Sequence, residues 1–155
     1  MTDSLESRLA AKGLKLPAAA APAANYVAYV TYGNILQTSG QLPMADGGLA
    51  VTGTLGDNVS LEKGQEAARH CALNILAQAK AALGGDLTRI RRLLKLTVFV
   101  ASAPSFTDQH KVANGASDLL VELLGDIGKH SRSAVGVPAL PMGAAVEIEA
   151  VFEIA

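Results

Sequence analysis

Over residues 146–154, VEIEAVFEI, apolar and polar positions alternate with hardly a break. Val146, Ile148, Ala150, Phe152 and Ile154 fall on one face of an extended chain, and Glu147, Glu149, Val151 and Glu153 on the other. The first face is expected to pack on helices and the second to meet water or a wet interface. A different rhythm governs 61–83. There Ala67, Cys71, Ile75, Leu76, Ala79 and Leu83 recur at helical spacing, with Ser60 as N-cap and Gly84-Gly85 as the stop. The runs LLKLTVFVA (93–101) and RSAVGV (132–137) predict strands. Residues 105–124 predict a second long helix, with Ser105 as cap and Leu119, Leu120, Leu123 and Leu124 in its last turns.

Nearer the start, residues 4–12 predict a short helix with Ser4 as cap and Gly13 past its end. Leu5, Leu9 and Leu14 would then cover a groove. The apolar, proline-bounded stretch from Leu16 to Ala24 reads as an extended linker. Residues 26–30 and 35–39 predict two strands around Gly33-Asn34. Residues 42–59, with glycines at 47, 48, 53 and 56, predict a loop holding a short strand at 49–51.

This order implies an α+β fold: a mixed sheet with two long helices packed on one face. At 155 residues the chain fits one domain, 1–155, with 1–24 as an N-terminal extension. A hairpin between the last two strands, turning around 138–143, would place Arg132 on Glu147's face only if paired positions sum to an odd number. Even then the two would lie roughly 13 Å apart along the strands, so they would meet only by reach, twist or a subunit boundary.

Composition narrows the function. Half the residues are hydrophobic and 17% charged, and with no Trp, three Tyr and three Phe the core must be Ala, Leu, Val and Ile. Such a surface hints at an oligomer. The formal net charge of -1 and the scarce aromatics make nucleic acid an improbable partner, and Arg89, Arg91 and Arg92 form only a short cluster. No apolar run reaches membrane-span length, and the single Cys71 has no internal disulfide partner, so a soluble, cytoplasmic protein is expected. His70-Cys71 lacks ligands at coordination spacing, no P-loop lysine follows the glycines, and Ser39 lacks a G-x-S-x-G setting.

The motifs NILQTSGQLP (34–43), KLTVFV (95–100), RSAVGVPALP (132–141) and VEIEAVFEI (146–154), taken together and in order, resemble the Rid family of reactive intermediate deaminases, also called YjgF-like and in older usage endoribonuclease L-PSP. The N-terminal helix and TDQHKVANGASDLL resemble a longer branch of it. The resemblance implies a chorismate-mutase-like fold and a homotrimer. It also implies small-molecule clefts between subunits, with no metal or organic cofactor. It implies hydrolysis of small 2-imino acids or their enamine tautomers, of the 2-aminoacrylate and 2-iminobutanoate type, to 2-keto acids and ammonia.

That reaction needs a carboxylate clamp and a group that orients water and moves a proton. A guanidinium suits the first and a carboxylate the second. By resemblance Arg132 is the clamp and Glu147 the water-orienting glutamate. Tyr26, Gly40, Asn114 and Ala134 match substrate-contacting positions. His130 and Ser131 depart from the shorter members' proline and small residue, and Ala134 from their frequent cysteine. His130 could alter substrate choice or add a titrating group. Read without the resemblance, Arg132 would be a surface ion-pair residue, Glu147 an outward strand residue and Tyr26 a packing aromatic. A cleft that binds a 2-keto acid without turnover is the competing reading, and ribonuclease action a weaker third.

Overall fold

The computed structural model describes residues 3–155. A short helix, α1 (Leu5–Ala11), opens it and is itself started by a capping box in which Ser4 and Ser7 exchange hydrogen bonds. Leu9 is buried, and Leu5 and Leu14 pack on the core beside it. Arg8 Nη1 donates to the Leu123 carbonyl at 3.1 Å, which ties this helix to the far end of the second long helix. The extended segment that follows is anchored where Gln78 Nε2 donates to Ala20 O at 2.9 Å.

Four short strands come next: β1 (Tyr29–Tyr32), β2 (Ile35–Thr38), β3 (Met44–Ala45) and β4 (Gly48–Leu49). The first predicted strand therefore begins three residues late. Tyr26 lies in a bend before it and is exposed. The stretch read as mostly loop holds a small β3–β4 hairpin, turned at Asp46-Gly47. The long helix α2 (Leu61–Ala82) starts at Ser60, whose hydroxyl accepts from Lys63 N–H, as its sequence required. Strand β5 runs over Ile90–Ala101 and helix α3 over Gln109–Leu124. Helix α3 begins at Asp108 rather than Ser105 and has no side-chain cap. Its last two partners are β6 (Ser131–Val137) and β7 (Val146–Ile154).

The main sheet has the order β1-β2-β7-β5-β6. All neighbours are antiparallel except β5 and β6, which are parallel. The expected β6–β7 hairpin is therefore absent, because β5 lies between them. The reason is connectivity: α3 crosses from the end of β5 back to the start of β6, and such a crossover makes the two strands parallel. The segment after β6 then spans the end of β5. There Ser102 N–H donates to Val137 O and Ala101 N–H to Ala145 O.

Helices α2 and α3 cover one face of this sheet. Val146, Ile148, Ala150, Phe152 and Ile154 are buried there with Leu93, Leu96 and Val98 of β5. Against them lie Cys71, Ile75 and Leu76 of α2 and Leu120 and Leu123 of α3. Gly115 sets the approach of the two helices, since a Cβ there would sit 2.3 Å from the Gln65 carbonyl oxygen. The opposite face carries Glu147, Glu149, Phe99 and Val135 without a cover.

Candidate active site

Residues paired across strands share a face. Glu147 pairs with Phe99, and Phe99 with Val135, so all three stand on the uncovered face. Arg132 pairs with Leu96 and Leu96 with Ala150, so Arg132 stands on the helix-covered face. The odd register does not apply, because it presumed adjacent strands. From two strand spacings and three residues of rise, the Cα atoms of Arg132 and Glu147 lie about 14 Å apart, on opposite sides of the sheet.

Arg132 survives on the covered face because β6 is the edge strand and α3 offers it polar partners. Its Nη1 donates to Asn114 Oδ1 at 2.9 Å and to Ser117 Oγ at 3.1 Å, and its Nη2 to the His110 carbonyl at 3.2 Å. His110, Asn114 and Ser117 recur at the three- and four-residue spacing that makes one helical stripe. Three of the five guanidinium N–H groups are thus used, which leaves two for a ligand. The charge is held in place by neutral acceptors, with no carboxylate among them.

Glu147 is half-buried beside Gly40. The crossing of the chain here is fixed by Gln41 and Ile148, whose main-chain groups exchange two hydrogen bonds at 2.7 and 3.0 Å. A Cβ on Gly40 would lie 2.1 Å from Glu147 Oε1. Gly40 is therefore a glycine for want of space, since it is absent from the positions with positive φ. Burial, reinforced by the Glu149 charge two residues along the same face, raises the Glu147 carboxyl above its ordinary range. Cys71 lies nearby but is fully buried, its Sγ 3.6 Å from Val146 O, and burial holds its thiol well above the usual range. It is a packing residue.

The structure thus brings the expected residues together as two half-sites, Arg132 with Asn114 and Glu147 with Gly40. Ala134 lies two residues beyond Arg132 on the same face of β6, partly buried against the core. Tyr26 is 53% exposed on its bend and touches neither pair through any hydrogen bond of its side chain among the described residues. No group of three or more His, Cys, Asp or Glu side chains that could hold a metal ion occurs among the described residues, and no described helix is long and apolar enough to cross a membrane.

Residues 6–153 match the family described as "YjgF/chorismate_mutase-like, putative endoribonuclease". The chain belongs to the YjgF, or Rid, family. It is 57% identical over 143 residues to Protein TCP17 of Trypanosoma cruzi, covering 92% of this chain and 89% of that one. The crystal structure of Atu1372, a protein of unknown function from Agrobacterium tumefaciens, superposes with a TM-score of 0.93 at 53% identity, over 97% of this chain and 92% of the other. A second, titled a "putative endoribonuclease" from Shewanella oneidensis, gives 0.94 at 38% identity, over 97% and 99%.

Two further side chains of this Rid-family chain stand beside Arg132 and were not among the candidate site residues read from sequence. Ser117 is the first. The i, i+3 spacing from Asn114 was the signal that could have found it. The second is His130, whose Nε2 is 2.9 Å from Ser117 Oγ and whose Nδ1 is 2.6 Å from Gly128 O.

Proposed function

We propose that this protein hydrolyses small 2-imino acids, or their enamine tautomers, to 2-keto acids and ammonia, in clefts formed between copies of the chain. The observation that carries the reading is the state of Arg132: buried enough to be oriented, held on three sides by α3, and left with two donors. A planar fork of that kind accepts a carboxylate. Glu147 supports the second half. A carboxyl with raised proton affinity is suited to take a proton from water and return it. In the reaction, the water oxygen bonds to the iminium carbon while its proton passes to Glu147. The proton then goes to nitrogen, Glu147 takes the hydroxyl proton as the C–N bond breaks, and the 2-keto acid and ammonia leave, the ammonia carrying off that last proton as ammonium.

One subunit cannot perform this, because Arg132 and Glu147 face opposite sides of its sheet. The reading therefore requires a second copy to present Glu147 to Arg132, and a homotrimer satisfies this for every cleft at once. The same separation within one chain favours a second reading, in which the Arg132 half-site binds a 2-keto acid without turnover.

The test generates 2-aminoacrylate or 2-iminobutanoate in situ and follows its loss with wild type, Arg132→Ala and Glu147→Ala. The deaminase reading expects acceleration by the wild type only, with the oligomer intact in both variants. Acceleration unchanged by Arg132→Ala would refute it. Keto-acid binding with no acceleration by wild type would establish the second reading.

A further inference from the structure

We propose that Ser117 and His130 form a nucleophile–base pair, and that the cavity they share with Arg132 carries out acyl transfer from a small activated ester or thioester. The cavity is open, about 260 Å³, and is lined by Ser117, Val121, Lys129, His130 and Arg132. It is a second chemistry, separate from imine hydrolysis, and it does not use Glu147.

The argument is one of hydrogen-bond direction. The Gly128 carbonyl can only accept, so at 2.6 Å His130 Nδ1 must carry the proton. In the neutral imidazole Nε2 then presents a lone pair, 2.9 Å from Ser117 Oγ. The serine hydroxyl therefore donates to His130. Its oxygen accepts from Arg132 Nη1 at 3.1 Å, which stabilises negative charge on Oγ as the proton leaves. The nucleophile, a base in hydrogen-bond reach and a third group that fixes the base's tautomer are the three parts an activated serine requires. Here a backbone carbonyl takes the orienting role. Arg132 also borders the cavity and keeps two N–H donors for a developing oxyanion. Lys129 borders the same cavity with its Nζ paired to Asp126 at 3.0 Å, so its charge selects no particular acyl group.

The step balances without a cofactor. Ser117 Oγ bonds to the acyl carbon, its proton passes to His130 Nε2, and the carbonyl electron pair moves onto oxygen. Collapse breaks the bond to the leaving alkoxide or thiolate, which takes the proton from His130. Water then attacks acyl-Ser117 with His130 again as base, releasing the acid and restoring the serine.

The probes are an alkyl fluorophosphonate, which traps an activated serine with loss of fluoride, and two esters, 4-nitrophenyl acetate and the mono-4-nitrophenyl ester of succinic acid. Expected are a covalent adduct mapped by mass spectrometry to Ser117, no adduct in Ser117→Ala, and labelling slowed by about 10²-fold or more in His130→Ala. Both esters should be hydrolysed by wild type and by Glu147→Gln, and neither by Ser117→Ala. If His130→Ala does not fold, His130→Gln replaces it. Glu147→Gln separates the two activities, since it should stop imine hydrolysis and leave labelling of Ser117 unchanged. An unlabelled Ser117 in folded wild type, or equal labelling rates with and without His130, would overturn the proposal.

Discussion

Replacing Gly40 by alanine tests the Glu147 half-site with a single methyl group. The new Cβ would stand 2.1 Å from Oε1 and 2.9 Å from Cδ of Glu147. The carboxylate must retreat by about 1 Å, and it can, because it ends a flexible side chain. A displacement of that size at a reacting group costs on the order of 10² in rate. The fold should not suffer: Gly40 has no positive φ, and glycine-to-alanine changes at compatible positions stabilise by about 0.4–1 kcal/mol through the unfolded chain. The expected result is imine hydrolysis with kcat down about 100-fold, KM little changed and Tm equal or higher. The pH profile adds an independent sign. Glu147 must be ionised to accept the water proton, and burial raises its pKa. Swinging it toward solvent lowers that pKa, so the acid limb of kcat/KM should move to lower pH. Gly48→Ala is the control, because a Cβ there meets nothing within 4 Å and its φ is ordinary. Wild-type kcat in Gly40→Ala would refute the assignment of Glu147.

Asn114→Ala removes one acceptor from Arg132, and a hydrogen bond to a charged group is worth about 1.5–3 kcal/mol, so the Kd for a 2-keto acid by calorimetry should rise about tenfold or more. Glu149→Gln removes the like charge beside Glu147; the acid limb of the pH–rate profile should fall to lower pH with the maximum rate retained. Gly115→Ala sets a methyl 2.3 Å from the Gln65 carbonyl oxygen and forces α2 and α3 apart. It should cost about 1–3 kcal/mol, read as a lower Tm in a thermal melt.

The fold was largely legible from periodicity. The alternation of 146–154 predicted β7 and its buried face, and Ser60 and Gly84-Gly85 bracketed α2, because these signals are local. Sheet order was not local. Nothing in RSAVGVPALP announces that a parallel β5 will lie between β6 and β7; the α3 crossover decides it, and with it the face on which Arg132 stands. Helix α3 began late because the cap was read from Ser105, whereas 104–105 form a turn closed by Phe106 N–H donating to Ala103 O, and 106–108 stay irregular. The placement of the candidate residues was not legible, because it depends on which strands are neighbours. Arg132 meets Asn114, and Glu147 meets Gly40, through sheet order and the α3 crossover, which the sequence does not display. His130 stood out in the sequence as a departure beside Arg132, but its pairing with Ser117 did not, because it depends on how α3 lies over the start of β6.

The central claim is that each working site takes Arg132 from one copy and Glu147 from another. Arg132→Ala and Glu147→Gln chains should each be inactive alone. Unfolded together in equal amounts and reassembled, they should recover about one quarter of wild-type imine hydrolysis, since one cleft in four then receives both native residues. Recovery to that level, with either parent reassembled alone remaining inactive, is the predicted result. A mixed assembly of normal size with no recovered activity would contradict the account.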